Sequence, residues 1–535
     1  MKQHHKLTMA LCGIWAVTLL YGEMFAFRLP SLWSCSWPHL HLSHPSSSNS
    51  TINGVGAPGD YVKVAVIADP QIMDKTSLHL PPKSSAMETA QFYTDLYMRR
   101  AFFLSIMPFK PDMILFLGDY FDGGPYLSDQ EWQESLQRFR HIFGMNSEGR
   151  YADMPVFYIP GNHDVGYTAI NSNRPEVVKR YEEKFGSRNF RFTVGKVEFI
   201  AVDSQTLDDR QRGNLSSDTW EFVTNVSKDV QLVPRVLLTH IPLYRRDNTS
   251  CGSHRGSEII NQRISRSVGT QEISYQNYVT EESSSKLLEL INPALILSGH
   301  DHDQCTVRHV SKSGKIIEHT VGTVSWQQGN LYPSFMLLSV SNSTNVNMSA
   351  PEDALLSQLC FLPMQLHIYM WYLSLYILTI VTLHLWPISG IDFEHHLSGL
   401  RDCVRLYGSM FRGGTKEKDE DENCDYEMMW DAEGTMHLVK KPQAPTSRPS
   451  DKISVERGNA VMRATARKTV SQEEQICMKI DVGNDPNIML QHRTMKSKTK
   501  MIMRRLIRTF QMSVIVTVVN LPIYLMLLFK DWIDQ

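Results

Sequence analysis

A net charge of one sign is missing from this chain. Its 54 Lys and Arg nearly balance 56 Asp and Glu over 535 residues. No global field therefore points to nucleic acid as a partner. Cysteine is scarce as well, at eight residues, which excludes a disulfide scaffold. No internal repeat is evident. After the first apolar stretch, no clear small-x-small cleavage site precedes Arg28. That stretch reads as an uncleaved anchor rather than a removed signal peptide.

Long apolar runs are present, in three places: Leu7–Phe27, Pro363–Trp386 and Phe510–Phe529. Each is about the 20 residues needed to cross a hydrocarbon core. The second carries His367 and His384 but no acid or strong base. The third contains Pro522, which a membrane helix tolerates. Arg493, Lys496, Lys498, Lys500, Arg504, Arg505 and Arg508 crowd the entrance of the third run. Positive charge marks that side as cytosolic, so the region between the first two runs is expected to be lumenal. Sequons at Asn49, Asn214, Asn225, Asn248, Asn342 and Asn347 all fall in that region, and none lies in 387–509. In an oxidising lumen Cys251 could pair with Cys305, and Cys35 with Cys360. Free buried thiols stand equally open. Cys403, Cys424 and Cys477 are expected to stay reduced.

The expected order is an anchor at 1–27, a lumenal stalk at 28–60, a globular domain at 61–340 and a juxtamembrane segment at 341–362. A membrane helix at 363–386, a mostly disordered cytosolic loop at 387–509, a second membrane helix at 510–529 and a tail at 530–535 follow. Within the domain, short apolar runs look like buried strands at 64–69, 113–119, 156–162, 196–203, 235–240 and 294–300. Helical stretches such as 87–107 and 174–186 separate several of them. Alternation of this kind predicts an α/β core. Nearly every strand ends in a polar cluster, and open α/β folds bind ligands at the carboxyl ends of strands.

In order, those ends carry Asp69 and Gln71, then Asp119, then Asn162, His163 and Asp164, then His240, then His300 and His302. Two acids, one Asn and three His can fill most of two hexacoordinate cation shells. Two carboxylates offset two of the four positive charges of a divalent pair. A net charge of about plus two remains for a hydroxide and a phosphate ester, as two-metal hydrolysis requires. Gly118, Gly161 and Gly299 each precede a candidate ligand, where a sharp backbone turn is expected.

The series D-x-(H/Q), GD, GNHD, xH and GHxH resembles the calcineurin-like metallophosphoesterase superfamily over about 61–340. The resemblance implies a four-layer α/β/β/α sandwich, here flanked by transmembrane helices. It also implies roles. Asp69, Gln71 and His302 would hold one metal, Asn162, His240 and His300 a second, and Asp119 would bridge both. His163 would lie near the leaving-group oxygen, and Asp164 would orient it.

Gln71 stands where most of these enzymes have a histidine. Its carbonyl is a neutral oxygen donor, which suits Mn²⁺ or Mg²⁺ better than Zn²⁺. Two divalent ions, with Mn²⁺ favoured, are the expected cofactors. ADPQ together with GDYFDGG, a lumenal domain and flanking spans further resembles the membrane-anchored branch that remodels glycosylphosphatidylinositol (GPI) anchors. This implies removal of ethanolamine phosphate from an anchor mannose in the endoplasmic reticulum or Golgi, with a GPI-anchored protein or GPI glycolipid as partner. The extra cytosolic loop and third span depart from that branch's simplest layout. Two other readings stay open: a lumenal phosphohydrolase of nucleotides or phospholipid head groups, and a metal-sensing or trafficking protein with a vestigial site. Trp326, Tyr120, Phe121 and Tyr244 flank ligand motifs, and core packing is the plainer expectation for them.

The predicted topology is testable in sealed microsomes. External protease should spare 28–360 and cut within 388–508. Digestion of the phosphoesterase domain from outside would overturn it.

Overall fold

The computed structural model describes residues 2–43, 60–78, 80–81, 83–145, 153–171, 173–209, 214–311, 314–343, 354–386, 426–430, 436–440 and 486–533. Thirteen strands belong to the phosphoesterase unit. They are β1 (Tyr61–Ile67), β2 (Met113–Phe116), β3 (Val156–Tyr158), β4 (Phe190–Val194), β5 (Val197–Ala201), β6 (Arg235–Leu238) and β7 (Ile264–Arg266), followed by β8 (Ile273–Gln276), β9 (Leu295–Ser298), β10 (Cys305–Ser311), β11 (Gly314–Thr320), β12 (Ser334–Ser341) and β13 (Leu355–Phe361). One sheet runs β13-β12-β1-β2-β3 and the other β10-β11-β9-β6-β5-β4. In the first sheet β1, β2 and β3 run parallel and β12 and β13 add antiparallel pairings at one edge, and in the second the parallel centre β11-β9-β6-β5 has an antiparallel strand at each edge.

Residue parity explains the layers. Side chains alternate faces along a strand. Val64, Val66, Leu115 and Leu338 of the first sheet pack against Phe199, Val236, Leu238 and Leu297 of the second. The residues between them face outward. Ala65, Ile67, Ile114 and Phe116 meet Tyr97, Phe102, Trp132, Leu136 and Phe139 from helices that cover the first sheet. Ile200, Leu237 and Ile296 meet Val223, Val226, Leu287 and Ile291 on helices Asn214–Lys228 and Glu281–Ile291. The result is the expected α/β/β/α sandwich. The central strands are apolar on both faces because both faces are covered.

Several boundaries differ from expectation. The first sheet runs on past residue 340, because Leu355–Phe361 pairs along β12 from Val340 to Ser334. The expected juxtamembrane segment thus supplies an edge strand. Part of the expected stalk is folded too. Cys35 is disulfide-bonded to Cys360, the Trp37 indole donates to the Phe109 carbonyl at 2.9 Å, and His39 lies 2.7 Å from the Ser339 hydroxyl. Residues 44–59 lie outside the described residues, as does most of the expected cytosolic loop. A second unit, Thr382–Thr509, contains an antiparallel pair, Tyr426–Trp430 with Met436–Lys440. The last helix begins at Pro486, well before the expected span, and runs to Trp532.

Among the described residues, three helices are long and apolar enough to cross a membrane: His5–Arg28, Gln365–Leu385 and Thr499–Trp532. Helix Ser85–Arg100 joins them to the sandwich. The Arg100 guanidinium pairs with Glu23 of the first, donates to Asp531 of the third at 2.9 Å and to the Leu527 carbonyl at 3.1 Å. Tyr372 of the second donates its hydroxyl to Glu23 at 2.8 Å. Arg100 and Glu23 are 3% and 2% exposed. One cation thus holds two acids from helices 508 residues apart in sequence, Glu23 and Asp531. Breaking a buried ion pair on one side typically costs about 3–5 kcal/mol, since the remaining charge is stranded. Arg100→Met should therefore lower the unfolding midpoint of the detergent-solubilised chain clearly. Adding Glu23→Gln and Asp531→Asn should recover part of the loss. An unchanged midpoint in the single variant would contradict the clamp.

Candidate metal centre

The candidate ligands leave the carboxyl ends of parallel strands. Asp69 lies just beyond β1, Asp119 beyond β2, Asn162 beyond β3, His240 beyond β6, and His300 and His302 beyond β9. All converge on one rim. Among the described residues, ten non-glycine residues have positive φ, and five of them are predicted ligands: Asp69 (49°), Gln71 (41°), Asp119 (55°), His300 (71°) and His302 (61°). Such conformations cost about 1–3 kcal/mol each and persist where surrounding structure enforces them.

Two triplets of donor atoms each lie within 4.8 Å of one another: Asp119, His240 and His300, and Asp69, Asp119 and His302. Asp119 belongs to both. The grouping divides the residues as the family resemblance does. Asn162 adjoins the first triplet, its Oδ1 lying 3.1 Å from His240 Nε2.

Backbone contacts settle which imidazole nitrogen is free. His240 Nδ1 lies 2.8 Å from the Leu117 carbonyl. A carbonyl only accepts, so Nδ1 carries the proton and Nε2 is left to bind, 3.2 Å from Asp119 Oδ2. His300 uses the opposite tautomer. Its Nε2 donates to the Gln276 carbonyl at 2.9 Å, which leaves Nδ1 free. Its backbone N–H donates to both Asp69 carboxylate oxygens at 3.1 Å. The Thr323 hydroxyl donates to the Asp69 carbonyl at 2.6 Å, and the Asn330 amide to the His302 carbonyl at 2.9 Å.

Burial holds the imidazoles of His300 and His302 down, at about 3 and about 4. They are neutral at pH 7, as ligands must be. Burial also opposes charge on His240, but neighbouring Asp119 outweighs it and lifts that imidazole to about 9. Burial likewise opposes charge on Asp119, yet His240 and His163 keep its carboxyl below the usual range. Asp69 is pushed up to about 8, chiefly by burial. Asp119 and His240 thus form a charged pair, with Asp69, His300 and His302 held uncharged around them by burial. That donor set fits divalent cations.

Two glycines work by close approach. A Cβ on Gly161 would lie 2.1 Å from Asp119 Oδ1, and one on Gly299 would lie 2.9 Å from Asp69 Oδ2. The left-handed turns expected at these glycines fall mainly on the ligands themselves.

Residues 62–304 match the family described as calcineurin-like phosphoesterase. Cell division control protein 1 of Saccharomyces cerevisiae is 30% identical over 342 residues, covering 61% of this chain and 67% of its own. This chain belongs to the calcineurin-like phosphoesterase family. Metallophosphoesterase 1 of Pongo abelii is 27% identical over 384 residues, covering 68% of this chain and 85% of its own. The Metallophosphoesterase 1 homolog of Drosophila melanogaster is 25% identical over 343 residues, with 61% and 82% covered. The family uses divalent metals, so the phosphoesterase is metal-dependent.

Within this metallophosphoesterase, two expected roles change. Asp164 does not orient His163. Its Oδ2 accepts from the N–H of Asp119 at 2.8 Å and of Gly161 at 2.9 Å, and its Oδ1 accepts from Tyr120 at 2.8 Å. It braces two ligand loops. The His163 ring instead contacts the Asp122 carbonyl, with Asp122 Oδ1 at 3.8 Å. Burial pulls the His163 pKa down, but Asp119 and Asp122 outweigh it and raise it. The second change is at Gln71. Its carbonyl accepts from the Gln328 amide, and its own NH₂ donates to Asp119 Oδ2 at 3.2 Å. In this orientation the Gln71 NH₂ supports the shared carboxylate, and its carbonyl is engaged by Gln328.

Asp122, Thr323, Gln327 and Gln328 also serve the rim, although neither GDYFDGG nor the residues around Trp326 single them out. No spacing signal marked them. Tyr120 and Phe121 are core residues, fully buried. Trp326 packs beside the core and meets Tyr369 edge-on at 6.0 Å between centroids.

Loss of such a supporting contact typically weakens metal affinity about 10–100-fold. Asp164→Asn, which puts an NH₂ among N–H donors, should do so in a Mn²⁺ chelator competition. Intact affinity with lost turnover would return Asp164 to the chemistry.

Proposed function

We propose that this chain is a dinuclear phosphodiesterase that removes ethanolamine phosphate from a mannose of GPI anchors in the early secretory pathway. The observation that carries the reading is Asp119, common to two triplets of donors at one rim, with His163 beside it. Asp69, Asp119 and His302 would hold one cation, and Asp119, Asn162, His240 and His300 the other. Mn²⁺ is favoured, because the set contains oxygen and imidazole donors and no thiolate. Lewis acidity toward phosphoryl oxygens and activation of water are what divalent ions supply at such a site.

The protein's own groups do the rest. Asp119 accepts the His163 N–H at 2.8 Å, which fixes that residue against the shared carboxylate. The Asp122 carbonyl accepts from the His163 ring, and Asp119 with Asp122 raises that ring's pKa against the effect of burial. A protonated imidazole there can hand its proton to the departing alcohol oxygen.

Support for a membrane-borne substrate is positional. Trp326 meets Tyr369 near the start of the second apolar helix, while Gln327 and Gln328, next in sequence, reach Gln71. Two residues thus separate the metal rim from a candidate membrane span. Lumenal placement of the domain and residence in the endoplasmic reticulum or Golgi belong to the same proposal.

Two measurements test it. Purified protein with added Mn²⁺ should hydrolyse bis-nitrophenyl phosphate, and His163→Ala should slow turnover about 10²–10⁴-fold while retaining metal. Cells lacking the protein should retain ethanolamine phosphate on GPI glycans by mass analysis. Unchanged glycans with an active enzyme would redirect the search to another phosphodiester.

A further inference from the structure

The pair β7 and β8 belongs to neither main sheet. It is a two-stranded antiparallel arm whose end reaches the metal rim. The Gln276 carbonyl accepts from His300 at 2.9 Å and from the Tyr167 hydroxyl at 3.1 Å. The preceding residue, Tyr275, places its ring 6.0 Å from the His300 ring and 6.1 Å from the Tyr167 ring. The Arg263 guanidinium lies over Tyr275, 5.6 Å from its centroid. Tyr275 is 37% exposed, and Arg263 is exposed and forms no ion pair among the described residues.

Ile273 and Gln276 tie the arm to the core and to His300, while the Tyr275 ring and the Arg263 guanidinium stay open to solvent. An apolar ring left half open costs hydration, and packing it against another apolar face would recover part of that. The location narrows the occupant. Tyr167 lies on the segment that follows the His163 turn, and its ring touches Tyr275, so the arm adjoins both the candidate ligand His300 and the chain segment that carries the candidate acid. A pyranose presents one C–H face to a ring and hydroxyls around its edge, and a free guanidinium beside that ring can donate to hydroxyl or phosphate oxygens.

We propose that the arm is the leaving-group subsite, with Tyr275 packing against the sugar that carries the scissile phosphodiester and Arg263 donating to its oxygens. The inference rests on the phosphodiesterase reading above and assigns its specificity. In the reaction, water adds to phosphorus and the P–O bond to the sugar breaks. The sugar oxygen leaves with a proton from His163, and the added water supplies the proton that restores it. Ethanolamine phosphate and a free sugar hydroxyl are the products.

Three phosphodiesters that differ in the leaving alcohol test this on the full-length chain with Mn²⁺: ethanolamine phosphate on a synthetic mannoside, on glycerol, and bis-nitrophenyl phosphate. Tyr275→Ala should lower kcat/KM on the mannoside about tenfold, mostly through KM, the size of one aromatic packing contact. It should lose clearly less on bis-nitrophenyl phosphate. Tyr275→Phe should keep the preference, and Arg263→Ala should shift in the same direction as Tyr275→Ala. Equal losses on all three substrates, or none on any, would overturn the subsite. A wild-type preference for the glycerol ester, lost in the arm variants, would keep the subsite and sink mannose as the substrate. No turnover of any of the three by the wild type would remove both readings.

Discussion

The Asp164 carboxylate is the contact on which the site's geometry depends. Its two oxygens accept N–H groups from Gly161, Asp119 and Tyr120. These belong to loops that follow two neighbouring strands. Burial, with the Asp119 charge, pushes the Asp164 carboxyl up to about 7, while the Gly161 and Tyr120 N–H groups favour the ionised form. A backbone turn that holds Asp119 at φ 55° would relax if these N–H groups were free. Once it is held, the Asp119 Oδ1 accepts the His163 N–H, and Oδ2 lies within reach of both His240 and Gln71. The candidate acid and the shared ligand are therefore fixed by one side chain that touches neither metal nor substrate.

The sandwich makes that brace possible. Parallel strands under full cover end together, and their loops open on one side. The same parity that buries Val64 and Val66 between the sheets sends Ala65 and Ile67 to the outer helices. No face of the central strands is left for water. The polar residues forced out of the strands collect at the ends, where backbone N–H and C=O groups orient them. Leu117 and Gln276 illustrate this. Each gives a carbonyl that selects an imidazole tautomer, so main-chain placement decides which nitrogen can bind.

Much of this was legible in the sequence, and for definite reasons. Strands such as 113–116 and 295–298 are continuous apolar runs, and each ends in a glycine followed by a ligand. The edge strand at 355–361 was not legible, because LLSQLCF follows a polar segment and precedes an apolar helix. Its register comes from pairing with β12, a non-local contact. Folding of residues 35–43 was hidden likewise, since Trp37 and His39 gain their partners only across the chain at Phe109 and Ser339. At the site, the candidate ligands and their convergence on one rim followed from residue type and order. The supporting contacts did not, because Asp122, Thr323 and Gln328 are ordinary loop residues until the fold brings them to the rim.

Gln71 shows what such contacts decide. Sequence reasoning treats its amide as an oxygen donor in place of an imidazole. An amide, unlike an imidazole, presents both an acceptor and two donors, and its neighbours choose between them. Here Gln328 donates to the carbonyl and Asp119 accepts from the NH₂. The choice follows from the loop that holds Gln327 and Gln328, which Trp326 seats against Tyr369 of an apolar helix. The glutamine therefore ties the chemistry of the rim to residues 326–328, and through them to the helix that begins at Gln365. Metal site and candidate membrane span are thus joined by one short run of sequence, and the residue at 71 is where that run meets the shared carboxylate.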